Sequence, residues 1–368
     1  MTKNDSNNEN IVYEKIHGVA LNIYDNVMKE KSPNLKIPLR SLSNVNYNKK
    51  DGYFELMNKI KKRTLTANTA KTFAQTLKLL SLSRDLVRTQ DIATKREAYY
   101  VSKNWEEARF LEQAESDTVM DDIEAMLHVN REKIGFIPEE KGGDIAGDIT
   151  IIETDPDTGE EIKHDCSTYV SGAYSVPSQV EDLGFETNAN MIIAIETAGM
   201  FQRLVKHKFW KKHKAILVSM GGVPTRATRR FVRRLSDEKD IPVYVFTDGD
   251  PYGWLNIYRT LKVGSGNAAH INEFFCVPRA KYFGITAKDI VNYKLPTHPL
   301  KDVDIKRIQD GIKNDPFIKA HKEWQTELKD LMKMKKRAEQ QALAQHGLNF
   351  VISDYLPQKI EDPKSWLP

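Results

Sequence analysis

The sequence predicts an α/β multidomain protein, in which a helical module with the element order of a winged helix precedes a domain built on a parallel β-sheet flanked by helices. Three observations predict it. At 368 residues the chain is long enough for two or three domains. Apolar residues recur at helical spacing from Phe73 to Ile134, and a glycine turn and an alternating strand follow them. From Met191 onward short apolar runs alternate with amphipathic segments, which is the grammar of right-handed βαβ crossovers.

Residues 1–70 mix polar stretches with short amphipathic pieces and read as an irregular or helical extension punctuated by Pro33 and Pro38. The winged-helix module occupies 71–155. Phe73, Leu77, Leu80, Leu82 and Leu86 mark a core-facing helix. Thr94 and Glu97 then form a Thr-x-x-Glu capping box, each side chain satisfying an orphan amide at a helix start. Ala98, Val101 and Trp105 are the apolar stripe of the helix it opens, and Val119, Ile123 and Leu127 are that of the next. Asn130 to Ile134 fits the short second helix of a helix-turn-helix, stopped by Pro138. Lys141-Gly142-Gly143 reads as a turn, and Ile145, Gly147, Ile149 and Ile151 alternate as the strand of a wing.

An acidic strip from Glu153 to Gly159 and a Ser/Tyr/Pro segment from Ser167 to Pro177 place a linker at 156–185. The α/β domain follows over 186–368. Its expected strands are Met191–Ile195, Ala215–Met220 and Ile241–Phe246, with helices at Phe201–Trp210, Arg226–Leu235 and Gly253–Leu261. A charged segment, Pro316 to Gln345, reads as one long helix.

Hydrophobic residues make up 40% and charged residues 29%, which excludes a disordered chain. Lys+Arg 55 against Asp+Glu 51 leaves +4, so charge placement must decide whether the partner is a polyanion. There is no apolar run of about 18 residues, and Met1 to Asn10 has neither the basic nor the apolar region of a secretion signal. The expectation is a cytoplasmic protein with no membrane partner. Cys166 and Cys276, the only cysteines, are far apart and lack metal-ligand spacing.

Three features carry chemistry. Glu196 ends the first expected strand and Asp248-Gly249-Asp250 follows the third, at the carboxyl ends where open parallel sheets bind ligands. Carboxylates brought together there repel one another and any phosphate, and a divalent cation reverses the sign; all-oxygen donors select Mg²⁺. Asp-Gly-Asp-Pro is also an ordinary turn sequence, but the strand before it and the second strand-end acid favour a site. Tyr99 and Tyr100 form the second feature. A phenol assisted by a nearby cation is a nucleophile toward a phosphodiester, and Arg96 lies three and four residues before the pair. Helical phase does not choose between the two rings. The third feature is a row of Arg226, Arg229, Arg230, Arg233 and Arg234 at offsets that share one helix face. Lys206, Lys208, Lys211, Lys212 and Lys214 cluster just before it and read as a solvated face.

Together these residues resemble a known family. Arg96-Glu-Ala-Tyr-Tyr100 resembles the Arg-acid-Ile-Tyr-Tyr motif of the topoisomerase VI A subunits and the related meiotic double-strand-break protein. Glu196 with Asp248-Gly-Asp250 resembles their Toprim acids, and Gly222 to Phe231 another of their blocks; the likeness runs from about residue 70 to the carboxyl terminus. The resemblance implies a CAP-like winged helix bearing the nucleophile, a Toprim domain bearing Mg²⁺, and cleavage of double-stranded DNA. It implies that Tyr100 is the nucleophile, that Arg96 assists at the phosphate, and that Glu196 and Asp248 are the principal metal ligands with Asp250 in support. Arg131, Lys133, Lys141, Arg229, Arg230 and Arg233 become the candidate DNA-binding residues. A homodimer is implied, and since no P-loop is present, ATP falls to a separate GHKL-type B subunit in an A2B2 assembly. Ala98 stands where the family usually has Ile, and Thr197 where some relatives carry Lys. A different Toprim phosphoryl-transfer enzyme, primase- or nuclease-like, and a winged-helix DNA-binding regulator are the alternatives.

Overall fold

The structure is a computed structural model and describes residues 3–138, 141–155, 157–169 and 172–368. Parts of four expectations therefore lie outside the described residues: Met1 and Thr2 of the amino terminus, Glu139 and Glu140 of the module at 71–155, Pro156 of the acidic strip, and Val170 and Ser171 of the Ser/Tyr/Pro segment. The chain forms two compact units. One comprises Met1–Asn46, Phe54–Glu140 and Ser265–Phe274; the other comprises Tyr47–Tyr53, Lys141–Gly264 and Phe275–Pro368.

The first unit is mainly helical. Its core is built by Leu79, Leu80 and Leu86 of helix Ala70–Thr89 and by Val119, Met120, Ile123 and Leu127 of helix Gln113–Leu127. Much of the 1–70 extension is ordered against this core: helix Lys3–Met28 contributes Val12 and Ile16, and Asn34–Pro38 pairs antiparallel with Ile60–Thr64. The capping box forms as its spacing predicts. Thr94 N donates to Glu97 at 2.7 Å and Glu97 N to the Thr94 hydroxyl at 3.1 Å. The helix it opens, Lys95–Val101, is shorter than the apolar stripe implied: Ala98 is buried, Val101 is exposed, and Trp105 reaches the core from beyond the helix end. Arg131–Ile134 winds as a 3₁₀ turn, and Gly135 rather than Pro138 ends it, at φ 85.

In the second unit a six-stranded sheet runs in the spatial order Tyr174–Ser175, Asp144–Gly147, Ala215–Ser219, Met191–Ile195, Val243–Phe246, Lys281–Gly284. The last four strands are mutually parallel, and the first two join antiparallel. Met-Ile-Ile-Ala-Ile, Ala-Ile-Leu-Val-Ser and Val-Tyr-Val-Phe are near-continuous apolar runs because helices cover both faces of a parallel sheet. The register pairs Ile195 with both Ser219 and Phe246, so Glu196 and the Thr247-Asp248 pair leave the sheet side by side.

The structure corrects the wing. Asp144–Gly147 pairs with Ala215–Ser219 inside the six-stranded sheet, so the Lys141 turn belongs to the α/β unit. The two glycines serve close approach: a Cβ would meet Val176 O at 2.5 Å from Gly142 and Ser219 O at 2.0 Å from Gly143. The expected linker contributes strands as well. Thr150–Thr154, Glu161–Asp165 and Gly184–Glu186 form a three-stranded sheet. Between the first two of these strands, the Asp155 carboxylate accepts from the amides of Asp157 and Thr158.

The expected carboxy-terminal helix is broken. Pro316–Ala320 and Lys322–Met334 are helical, Lys335 at φ 53 stops the second, and Lys336–Arg337 pairs with His298–Pro299. Helical propensity yields here to tertiary pairing, since Ala338 bridges to Gly249 at the strand ends. Residues Gly253–Leu261 do wind helically, but Gly253–Tyr258 form a π-turn before helix Arg259–Lys262.

The close approach at Gly143 gives a test. Gly143→Ala is expected to lose about 2 kcal/mol or more of stability in urea unfolding, because Ser219 O is backbone and cannot swing away. A variant as stable as wild type would contradict this packing.

Candidate active site

Glu196 and Asp248 stand at the ends of adjacent parallel strands and are tied to each other. Asp248 N–H donates to Glu196 Oε2 at 2.8 Å, and Glu196 N–H donates to Phe246 O at 3.0 Å. Burial pushes the Glu196 carboxyl up to about 8, with repulsion from Asp248 adding to it. Burial also pushes Asp248 up to about 6, against the pull of the Gln340 amide. Asp250, 8% exposed, is raised by burial as well, but it is better compensated. Gly253 N–H donates to its Oδ1 at 2.7 Å and Arg337 to its Oδ2 at 3.1 Å.

Sequence reasoning missed what covers these acids. The segment after the broken helix lies along the strand ends: Gly249 N–H donates to Ala338 O at 2.8 Å and Gln340 N–H to Asp248 Oδ1 at 2.8 Å. Glu339 adds a further negative charge that raises Glu196 and Asp248. A run of mixed charge and amides carried no signal of this, because the relation is created by the chain's return and not by local spacing.

The two tyrosines have different surroundings. The Tyr99 hydroxyl donates to Leu111 O at 3.0 Å, its ring packs against the helical core, and Lys103 Nζ lies 3.9 Å from its centroid. Tyr100 is 57% exposed, its ring 5.4 Å from that of Tyr99. Arg96 is exposed one helical turn earlier.

The basic candidates divide differently from expectation. Arg131, 6% exposed, is held at 2.6 Å by Glu124 and 2.7 Å by Asp121. In the arginine row, Arg230 makes a two-point contact with Glu181 at 2.7 and 2.8 Å. Arg233 is spent on Asp237 and Cys276 O, and Arg234 on Glu238 and the carbonyls of Val180 and Leu183. Arg226 and Arg229 lie over the Phe275 ring at 4.5 and 5.6 Å. Arg131, Arg229, Arg230 and Arg233 each have a partner within their own unit, with which a phosphate would have to compete. Lys133 is half-buried, while Lys141 and all five lysines from Lys206 to Lys214 are exposed. Among the described residues one trio of acid and histidine ligand atoms falls within 4.8 Å, Asp121, Glu124 and His270, and there Arg131 already supplies the positive charge.

The raised carboxyls imply a pH dependence. Folded Glu196 and Asp248 hold protons more tightly than their ordinary values of 4.5 and 3.8, so the associated stability is lost as pH rises through about 6 and then about 8. In urea unfolding of the metal-free chain, Glu196→Gln is expected to match wild type at about pH 4 and to exceed it above about pH 8. An equal difference at both would show that Glu196 is not the titrating group.

Three family models match the chain. Residues 191–360 match the Toprim domain of the topoisomerase 6 A subunit and Spo11, residues 71–136 match type IIB DNA topoisomerase, and residues 139–189 match the all-beta domain of the DNA topoisomerase VI alpha subunit. Among curated relatives, the type 2 DNA topoisomerase 6 A subunit of Methanocaldococcus jannaschii is 54% identical over 97% of this chain and 96% of its own length. The protein of the same name from Pyrococcus abyssi is 38% identical, covering 96% of this chain and 94% of the relative, and that from Methanothermobacter thermautotrophicus is 36% identical, covering 96% and 98%. With identity of this order along almost its whole length, and with strand-end acids inside the matched Toprim segment, the chain belongs to the family of type 2 DNA topoisomerase 6 A subunits.

Proposed function

We propose that this chain cuts and reseals double-stranded DNA as the A subunit of a type IIB topoisomerase, with Tyr100 as the nucleophile. The observation that carries the residue assignment is the unequal state of two adjacent tyrosines. Tyr99 is anchored through its hydroxyl, whereas Tyr100 presents its phenol to solvent beside an exposed Arg96. The Tyr100 phenol gives up its proton to solvent as its oxygen attacks the phosphodiester phosphorus, the bond from phosphorus to the 3′ oxygen breaks, and that oxygen leaves with the electron pair and takes a proton from solvent. A 5′-phosphotyrosyl ester remains, and attack by the 3′ hydroxyl reverses the step and restores the strand. Arg96 binds the phosphate as its charge develops.

The strand-end acids fit a hard divalent cation: they offer only oxygen donors, and Glu196 and Asp248 are buried like charges whose carboxyls are raised in its absence. Glu196 and Asp248 would hold Mg²⁺, with Asp250 in support, and the ion would neutralise the phosphate and stabilise the leaving oxygen. Helices Ala70–Thr89, Lys95–Val101 and Gln113–Leu127 are read as the winged-helix (CAP-like) module that presents Tyr100, with Lys133 and Lys141 as DNA contacts.

One nucleophile per chain and two strands per duplex call for a homodimer, in which each Tyr100 works with the partner copy's acids. The relatives' designation as A subunits implies a second, different chain. With no P-loop in this sequence, a GHKL-type ATPase in an A2B2 assembly would couple ATP to duplex passage and relaxation of supercoils. No helix among the described residues is long and apolar enough to cross a membrane. The DNA acted on would be cytoplasmic and nucleoid-associated.

The test is denaturant trapping of the covalent protein–DNA adduct on supercoiled DNA with Mg²⁺, ATP and the ATPase partner. Wild type and Tyr99→Phe are expected to trap DNA, Tyr99→Phe at a stability cost of about 1 kcal/mol for its lost hydrogen bond. Tyr100→Phe is expected to trap none, and an undiminished adduct from it would reject the assignment. Asp248→Asn is expected to bind DNA normally and to cut at least a hundredfold more slowly, on the order of a lost electrostatic stabiliser.

A further inference from the structure

We propose that Gln340 is a positioning residue that sets the spacing of Glu196 and Asp248 for the divalent cation; this rests on the metal reading above. Gln340 is 0% exposed, and its polar groups are spent at the strand ends. Its backbone N–H donates to Asp248 Oδ1 at 2.8 Å, its Nε2 donates to Phe246 O at 3.0 Å, and its Oε1 accepts from the Thr197 hydroxyl at 2.9 Å. The amide orientation follows from the partners: a backbone carbonyl can only accept, so the NH₂ group faces Phe246 and the oxygen faces Thr197.

The consequence is a closed ring of hydrogen bonds. Thr197 follows Glu196 at the end of one strand, and Phe246 and Asp248 end the neighbouring one. The Asp248 N–H to Glu196 bond joins the two acids directly, and Gln340 joins the same two strand ends from the other side. Segment 337–340 is itself pinned by the paired bonds between Ala338 and Gly249, at 2.8 and 3.2 Å, and by Arg337 on Asp250. An amide is suited to this place because it bridges a donor and an acceptor without bringing charge. A carboxylate would add a further repulsion to Glu196 and Asp248, and an ammonium would compete with the cation.

Outer partners that orient metal ligands typically contribute about 10–100-fold in metal affinity. The experiment is a titration of the full-length, metal-free chain with Mn²⁺ alone, free Mn²⁺ being read by electron paramagnetic resonance. Gln340→Met keeps length and burial and removes both side-chain bonds, and it is expected to weaken Mn²⁺ binding by about tenfold. Thr197→Val is expected to weaken it by about threefold, and the double variant no further than Gln340→Met alone, because Thr197 acts through Gln340.

Wild-type affinity in a folded Gln340→Met chain overturns the proposal, as does full additivity in the double variant. If Gln340→Met does not fold, Thr197→Val decides alone, and unchanged affinity there overturns the proposal. Asp248→Asn separates the two readings. When wild type titrates and Asp248→Asn does not, the metal reading stands and a failure belongs to Gln340. When wild type fails to bind, or Asp248→Asn binds equally well, the metal reading falls and this inference with it.

Discussion

Like charges withdrawn from water at the ends of parallel strands are the constraint around which the α/β unit is arranged. Two carboxylates at about 4 Å repel by about 4 kcal/mol at an effective dielectric of 20, and burial adds a desolvation cost to each. The structure offsets this selectively. Asp250 receives a cation, Arg337, and an amide from the following turn. Glu196 and Asp248 receive backbone amides only, from Asp248 and Gln340. Neutral donors orient a carboxylate without discharging it. Two acids are thus held in place with little cationic compensation and hold their protons tightly, so a cation that displaces those protons meets the charge the site lacks.

The surrounding fold serves that condition. Four parallel strands bring their carboxyl ends to one edge, and their apolar runs let helices bury both faces. The arginine row is half-buried and ties into this scaffold. Arg230, Arg233 and Arg234 fasten helix Arg226–Lys239 to the segments around Glu181, Cys276 and Val180. Arginine suits such a role because its planar fork satisfies several acceptors at once. The neighbouring lysines, with one flexible point charge each, remain in solvent.

What is legible in the sequence follows the range of the interactions. The capping box at Thr94 and Glu97, the strand Met191–Ile195 and the helix starting at Arg226 depend on neighbours within a few residues, and local pattern locates them. The strand-end acids are legible for the same reason: each directly follows an apolar run. The wing misleads because Gly142 and Gly143 have a meaning as turn residues that local sequence supplies and a meaning as close-approach residues that only Val176 and Ser219 reveal. The partners of the arginine row are not legible, because helical phase gives the shared face but not what faces it. Tyr99 and Tyr100 are inseparable by phase, and the carbonyl of Leu111, a residue outside their helix, separates them.

The hydrogen bonds that close the acid site join residues very far apart along the chain. Thr197 and Gln340 are separated by 143 positions, Asp248 and Gln340 by 92, and Asp250 and Arg337 by 87. The entropy of closing such loops has to be met before these contacts repay it, which places them among the late events of folding. Strands and acids can therefore be in place while the groups that space them are still elsewhere. An order of assembly follows for the nascent polypeptide: the sheet can form once its parallel strands have emerged, but the acid cluster acquires its geometry only when nearly the whole chain has been made.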